Sequence, residues 1–483
     1  MAIHPILSRA LAIAALLCGA GCSEPESGPI TVSAIGEPPA LVNPNLETLG
    51  PPASFLAEAA AQGLVQFDAG GQVQPALAQS WIVSDDGLRY TFRLGRAEWA
   101  NGERVTAEQV TARLQAAVSG ASRNDLKPLL GVIDEIEAMT DDVLEISLKS
   151  PRPNFLQLLA QPEMGVLRDG GGTGPFHATP REDGIFLSQH RPDEEEVGAE
   201  PHGPPVLLRG EPAAMAVARF DQGLADFVTG GTLGDLPIAR AAEPGAALRF
   251  DPVAGLFGLA FLRDGGVLGD PAVRRALSMA VDRAALVAAL EIPELQPRAS
   301  LLPPSIDELP RPAQPDWAES PLPMRREQAA QAIEEVSGDE PLVVRVAMPD
   351  EPGYRLVFAH LRRDWRAIGV QAERVGPNQR ADLRLVDAVA PATLASWYLR
   401  FICDAGAVCG EDVRSRLAAA RTAASAVERR IHLAGVDRLL TDMTAFIPLA
   451  APVRWSLVSP RVTGFQPNPF GRHTPATLVA PEG

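Results

Sequence analysis

Tyr90-Thr91-Phe92-Arg93-Leu94, then Thr106 with Gln109, then Leu144-Glu145-Ile146-Ser147-Leu148 read as strand, helix, strand, and this alternation decides the fold class. Tyr90, Phe92 and Leu94 alternate with Thr91 and Arg93, and Leu144, Ile146 and Leu148 alternate with Glu145 and Ser147. That is the period of a half-buried strand. Between them Thr106 and Gln109 form a capping-box pattern, Val110, Leu114 and Ala117 share one face, and Gly120 ends the helix. Outward from this unit the pattern repeats. Ile30–Ile35 reads as the first strand, and 370–375 as a late one after a helix marked by Val357, Leu361, Trp365 and Ile368 and stopped by Gly369. Such mixing predicts an α/β architecture rather than an all-α or all-β one.

A further helix opens with Asp270 as N-cap and Pro271 at its first position, and Val273, Leu277, Ala280, Ala284 and Val287 are spaced for one buried stripe. Arg274, Arg275 and Arg283 then fall to its outer face. Another helix spans about 424–443 and ends in Phe446-Ile447-Pro448-Leu449, where Pro448 predicts an edge strand or extended connection. Residues 191–205, with Glu194, Glu195 and Glu196, and residues 293–323, rich in proline, read as surface loops. The acidic triplet reads as a solvated charge run rather than a cation site.

The N-terminus is an export signal. Leu11-Ala12-Ile13-Ala14-Ala15-Leu16-Leu17 follows His4 and Arg9 and stops at small residues and Cys22. The run is too short to cross a hydrocarbon core of roughly 30 Å. Gly19-Ala20-Gly21-Cys22 resembles the lipobox of bacterial lipoproteins, with Gly19 where that motif usually has leucine; simple cleavage near Ala20 is the alternative. Export leaves Cys403 and Cys409 as a pair expected to close a disulfide in an oxidising compartment. Spacing alone does not establish that geometry. A metal there would need further ligands, and the next histidine is His432.

The chain carries 60 acidic against 43 basic residues, a net charge of −17, and loss of the leader with Arg9 makes the remainder one unit more negative. This argues against nucleic acid and anionic lipid surfaces as partners. Its 483 residues suffice for two or three domains.

Short motifs then recur in a fixed order: Asn43-Pro44, Pro75-Ala76-Leu77-Ala78-Gln79-Ser80-Trp81, Ser84-Asp85-Asp86-Gly87, Trp99-Ala100-Asn101-Gly102-Glu103, Gly172-Thr173-Gly174-Pro175-Phe176, Gly223-Leu224-Ala225-Asp226, Asp270-Pro271-Ala272-Val273-Arg274-Arg275-Ala276-Leu277-Ser278, Trp365-Arg366-Ala367-Ile368-Gly369-Val370 and Ile447-Pro448-Leu449. The ordered set resembles the family 5 extracellular solute-binding proteins, the dipeptide, oligopeptide and nickel receptors of bacterial ABC importers. The resemblance implies a two-lobed α/β fold, the periplasmic binding protein type II "Venus flytrap", with an extra inserted subdomain in lobe one. The implied layout is a signal peptide at 1–21, a lipidated tether at 22–28, lobe one from 29–71, 171–261 and 457–483, the inserted subdomain at 72–170, and lobe two at 262–456. It further implies a monomer, lipid-anchored through Cys22 in the periplasm, that closes on a peptide or small solute and presents it to membrane permease subunits, without a cofactor.

The same comparison supplies candidate ligand contacts: Thr48 and Gly50 after Asn43-Pro44, Gly172 and Thr173 in the glycine turn, and Trp397 and Tyr398 before the cysteines. Two aromatic rings with polar tips suit a wet cleft, and core packing is the other reading of Trp397. Asp387 is the nearest match to the aspartate that takes a peptide's α-ammonium, but it stands about three positions early and lacks the family's flanking tryptophan and tyrosine. Arg123 falls where the nickel branch places an arginine, with Leu126 in place of an aromatic residue; an ordinary exposed arginine is the alternative. The run at 170–174 is not a phosphate loop, because no Gly-Lys-Ser/Thr follows.

An enzyme is not expected. The sequence has no Gly-x-Ser-x-Gly elbow and no His-Glu-x-x-His, and its seven histidines are scattered. A nickel-chelate receptor, or a peptide chaperone or sensor built on the same fold, stays open as an alternative.

Overall fold

The computed structural model describes residues 28–99, 101–168, 170–189, 204–304, 306, 308–337 and 340–479. The leader, Cys22 and most of the acidic 191–205 segment lie outside them.

Two sheets organise the chain. A seven-stranded sheet runs, in spatial order, Phe176–Arg181, Gly184–Gln189, Val206–Glu211, Ile30–Ile35, Phe227–Thr232, Arg454–Val458 and Leu248–Asp251. Its central strand Ile30–Ile35 is parallel to both neighbours and almost wholly buried, as expected for a strand covered on two faces. A five-stranded sheet runs Val370–Val375, Leu342–Ala347, Leu383–Val389, Gly255–Phe261 and Phe446–Ala450. Pro448, which lacks an N–H, sits in its outer strand, where no further neighbour needs one.

The chain crosses between the sheets at 252–254 and returns at 451–453. Both crossings precede the boundaries expected from sequence. Gly255–Phe261 pairs along its length with Leu383–Val389, which puts it in lobe two, and Arg454–Val458 pairs with Phe227–Thr232, which puts it in lobe one.

The strand–helix–strand unit around Tyr90 and Leu144 is part of a four-stranded antiparallel sheet, Ala78–Val83, Arg89–Leu94, Val143–Leu148, Ile133–Ala138, with the helix Ala107–Val118 packed on it. Thr106 and Gln109 make both halves of the capping box. Phe92, Leu94, Val110, Leu114, Leu144 and Ile146 join one apolar cluster.

The helix beginning at Pro271 departs from expectation. It ends at Ala280, and a second helix, Arg283–Leu290, starts under an Asp282 cap whose carboxylate accepts from Ala285 N. Arg274 and Arg283 are buried rather than outward. Their guanidinium groups donate to backbone carbonyls: Arg274 to Met443, Leu268 and Gly269, and Arg283 to Pro448 and Ser278. Hydrogen bonding of this kind makes a buried cation tolerable. Arg275 alone stays outward, paired with Asp316.

The proline-rich 293–323 stretch is likewise not a plain surface loop. Leu301, Leu302, Ile306, Leu309 and Trp317 are buried in the lobe-two core, and Glu308 pairs with the buried Arg429 at 2.8 Å. Cys403 and Cys409 are bonded, with Cα atoms 5.1 Å apart, at the end of the helix Ala395–Ala405.

Candidate inter-lobe site

Two of the contacts between the lobes bear on Asp387 and the segment after its strand; others include Arg240 Nη1 to Leu290 O and Ser150 Oγ to Arg421 O. In the first, the loop after Phe227–Thr232 touches the start of the lobe-two helix Pro352–Arg366: Gly353 N donates to Gly234 O at 2.9 Å. A Cβ on Gly353 would stand 1.8 Å from Leu233 O, so only glycine permits this approach. Beside it, Asp387 of the strand Leu383–Val389 receives Arg454 Nη1 at Oδ1 (2.7 Å) and Tyr354 Oη–H at Oδ2 (2.7 Å). Arg454 Nη2 also reaches the Asp387 carbonyl at 3.3 Å. Burial and the adjacent carboxylate push the Tyr354 phenol well above its ordinary range, which keeps it a donor. Asp235, bonded to Thr232, is raised by burial and further by the Asp387 charge.

In the second contact the inserted subdomain grips the 391–394 segment that follows the strand of Asp387. Gln161 Nε2 donates to Pro391 O at 2.6 Å, Asn154 Nδ2 donates to Thr393 O at 2.8 Å, and Thr393 N donates to Gln157 Oε1 at 3.3 Å. Ala392 and Leu394 enter the subdomain's apolar cluster.

The residues singled out from sequence fall into three settings. Thr48 and Gly50 lie exposed on the loop before the helix Pro51–Ala60, where Gly50 is the N-cap, and the loop with Arg123 is drawn up to it. Thr48 Oγ1 donates to Asp125 at 3.2 Å, and Arg123 N donates to Asn45 O at 2.8 Å, leaving the Arg123 side chain exposed. Gly172 lies flat on the end of that helix, since a Cβ there would stand 2.3 Å from Ala60 O. Thr173 Oγ1 is buried with no hydrogen-bond partner among the described residues.

Tyr398, expected in the cleft, is 1% exposed and belongs to the lobe-two core, where burial holds its phenol up to about 12. The helix Ala395–Ala405 turns its apolar stripe, Tyr398, Leu399 and Ile402, inward, and Tyr398 lies on that stripe. Trp397 is half-buried, edge-on to Tyr398 at 4.9 Å and tilted against Phe401 at 5.2 Å, and it touches both the lobe-two core and the subdomain cluster. Asp387 is mostly buried, with both oxygens engaged from within the protein.

Tyr354, Arg454 and Gln161 were not anticipated. Tyr354 is one of only three tyrosines and follows Pro352-Gly353 at a helix start, a signal the sequence did carry. Among the described residues, no group of three or more His, Cys, Asp or Glu is placed to hold a metal ion.

The chain is similar in fold to solved two-lobed periplasmic binding proteins. Haemophilus influenzae OppA in complex with RPPGFSPFR superposes with a TM-score of 0.79 at 18% identity, over 94% of this chain and 98% of that one. NikA from Brucella suis in complex with Fe(III)-EDTA gives 0.72 at 19% identity, over 89% and 96%. In sequence, the nickel-binding periplasmic protein of Escherichia coli K12 is 35% identical over 122 residues, 25% of this chain and 23% of that one. The chain thus spans about a quarter of the length of the curated relatives it matches. The sequence profile of the bacterial extracellular solute-binding proteins, family 5, matches residues 72–191 and 206–402, more than half of the chain, and the protein belongs to that family.

Proposed function

We propose that this protein is the substrate-binding component of an ABC importer that takes a peptide or peptide-like solute between its lobes and delivers it, unaltered, to a membrane permease. The family is made of transport substrate-binding proteins rather than enzymes, and its members are periplasmic or extracellular. The reading includes a monomer exported to the periplasm and held to the membrane by lipid on Cys22.

The observation that carries it is the hydrogen-bonded grip of Asn154, Gln157 and Gln161 on 391–394. Closure works when contacts available only in one arrangement of two rigid bodies shift an equilibrium toward it. This grip lies between bodies joined by two crossings, and a solute held beside it would add contacts of that kind. The likeness in fold to Haemophilus influenzae OppA, which is in complex with the nine-residue peptide RPPGFSPFR, supports a peptide as cargo. The second reading, a nickel chelate, is favoured by the 35% identical relative and by the exposed Arg123 on the loop whose Asp125 accepts from Thr48.

In this reading Thr48, Gly50, Arg123 and Trp397 line the approach, Gly172 and Thr173 pack the loop behind it, and Asp387 receives an α-ammonium only by exchanging Arg454. The test is native mass spectrometry of the protein purified from its own periplasm. A co-purifying peptide supports the reading, and a metal chelate supports the alternative. Intrinsic tryptophan fluorescence that no co-purified or added solute alters, or cargo released as a product, would contradict it.

A further inference from the structure

Four arginines line one small cavity where the inserted subdomain meets lobe two. Arg152 comes from the subdomain, on the turn after the strand Val143–Leu148, and Arg400, Arg421 and Arg429 come from three successive lobe-two helices. Leu158 of the subdomain and Leu394 of lobe two add apolar wall. The seam is clasped at the same place, since Ser150 Oγ donates to Arg421 O at 3.0 Å.

One of these cations is buried without an acceptor. Glu308, the carboxylate that acts on Arg152, already receives Arg429 Nε at 2.8 Å and Ala395 N at 2.7 Å. Arg429 is fully used: Nη1 donates to Ala420 O and Nη2 to Ser396 Oγ, each at 3.1 Å. Arg152 is different. It is 7% exposed, and its Nη1 has no hydrogen-bond partner among the described residues. Burial, opposed by Glu308 and reinforced by Arg400 and Arg421, pulls its guanidinium down to about 10, which leaves it charged at neutral pH. Burial lowers Arg400 as well, with Asp404 opposing and Arg421 adding to the shift.

A buried cation of this kind needs an acceptor, and the size of the space limits which. The cavity is about 20 Å3, room for one water or one monatomic ion and too little for the carboxyl end of a solute. Water supplies a lone pair but no charge, whereas like charges from Arg152, Arg400 and Arg421 meet here in a low-dielectric seam.

We propose that this seam is a binding site for a monatomic anion, chloride, which accepts from Arg152 Nη1 and is held against Arg400 across the lobe boundary. Its ligands come from both bodies, so the bound ion stabilises the arrangement that brings them together. The site is too small for the cargo and goes beyond the receptor reading, holding whichever solute is taken.

The test is chloride binding by the full-length protein. Quadrupolar broadening of the chloride NMR signal is titrated at constant ionic strength, with gluconate, too large for the cavity, making up the difference. The expected broadening saturates and is displaced by bromide. Arg152→Gln and Arg400→Gln, one on each side of the seam, should each weaken binding about tenfold. Arg113→Gln, exposed on the helix Ala107–Val118, should leave it unchanged. Each seam substitution removes a packed side chain, so a second readout uses no variant: crystals of the unsubstituted protein grown in bromide should show an anomalous peak between Arg152 and Arg400. Absence of saturable broadening, broadening that survives either seam substitution, or bromide found only elsewhere or nowhere overturns the proposal and leaves the receptor reading standing.

Discussion

Arg454 Nη1 donates to Asp387 Oδ1 at 2.7 Å, and this pair ties the seven-stranded sheet to the five-stranded one beside both points where the chain crosses. Arg454 follows the return crossing directly, and Asp387 lies opposite Phe257, two residues into the strand that follows the outward crossing. The carboxylate side chain is 8% exposed and the arginine 18%. The pair thus sits where any rotation of the lobes must be absorbed.

Asp387→Ala is expected to lower stability by about 1–3 kcal/mol, because it leaves the Arg454 guanidinium and the Tyr354 hydroxyl without their acceptor. Chemical denaturation read by tryptophan fluorescence measures this. Loss of tenfold or more in peptide affinity at unchanged stability would instead assign Asp387 to the ligand's ammonium.

Glu58 makes stability depend on pH in a defined direction. Burial, only partly offset by Arg472 and reinforced by Glu163, pushes its carboxyl up from 4.5 to about 8. The folded state therefore keeps a proton that the unfolded chain gives up above pH 4.5, and this group's contribution to stability falls as pH rises from 4.5 to 8. Glu58→Gln, which never ionises, should melt close to the unsubstituted protein at pH 5 and higher at pH 9, by on the order of 2 °C. A difference that does not grow with pH would place Glu58 in contact with water.

Asn154→Ala removes one hydrogen bond to the 391–394 segment, worth about 1 kcal/mol, and should shift the closed-to-open ratio roughly fivefold toward open. Small-angle scattering on the solute-bound protein checks this. An unchanged radius of gyration would mean the grip does not bias closure.

Cys403→Ser should destabilise lobe two by about 2 kcal/mol, the loop-closure entropy of a short cross-link. Thiol titration of the unfolded, unreduced mature chain should find no free thiol at 403 or 409. Two reactive thiols there would contradict the bond.

What the sequence made legible was whatever a few neighbouring residues determine. The Thr106–Gln109 box, the Asp270 cap before Pro271, and the stop at Gly369 with φ of +80° each depend on local geometry. The long-range partners were not legible. Arg274 and Arg283 looked outward because their helical spacing put them off the apolar stripe, yet carbonyls at Met443 and Pro448, more than 160 residues on, accept them. Asp387 was found as a carboxylate, but the arginine 67 residues later that occupies it was not. Tyr398 shares an aromatic pair with Trp397, and only the face of the helix decides that one ring is core and the other half-exposed.

The most direct test of closure is an inter-lobe distance. Arg113 in the subdomain helix and Glu334 in the lobe-two helix Leu322–Ser337 are both exposed, and cysteines placed there carry spin labels on the full-length protein. Pulsed electron resonance should give a long, broad distance distribution after the co-purified solute is removed, and a shorter, narrower one when it is restored. One unchanged distribution in both states would contradict the account.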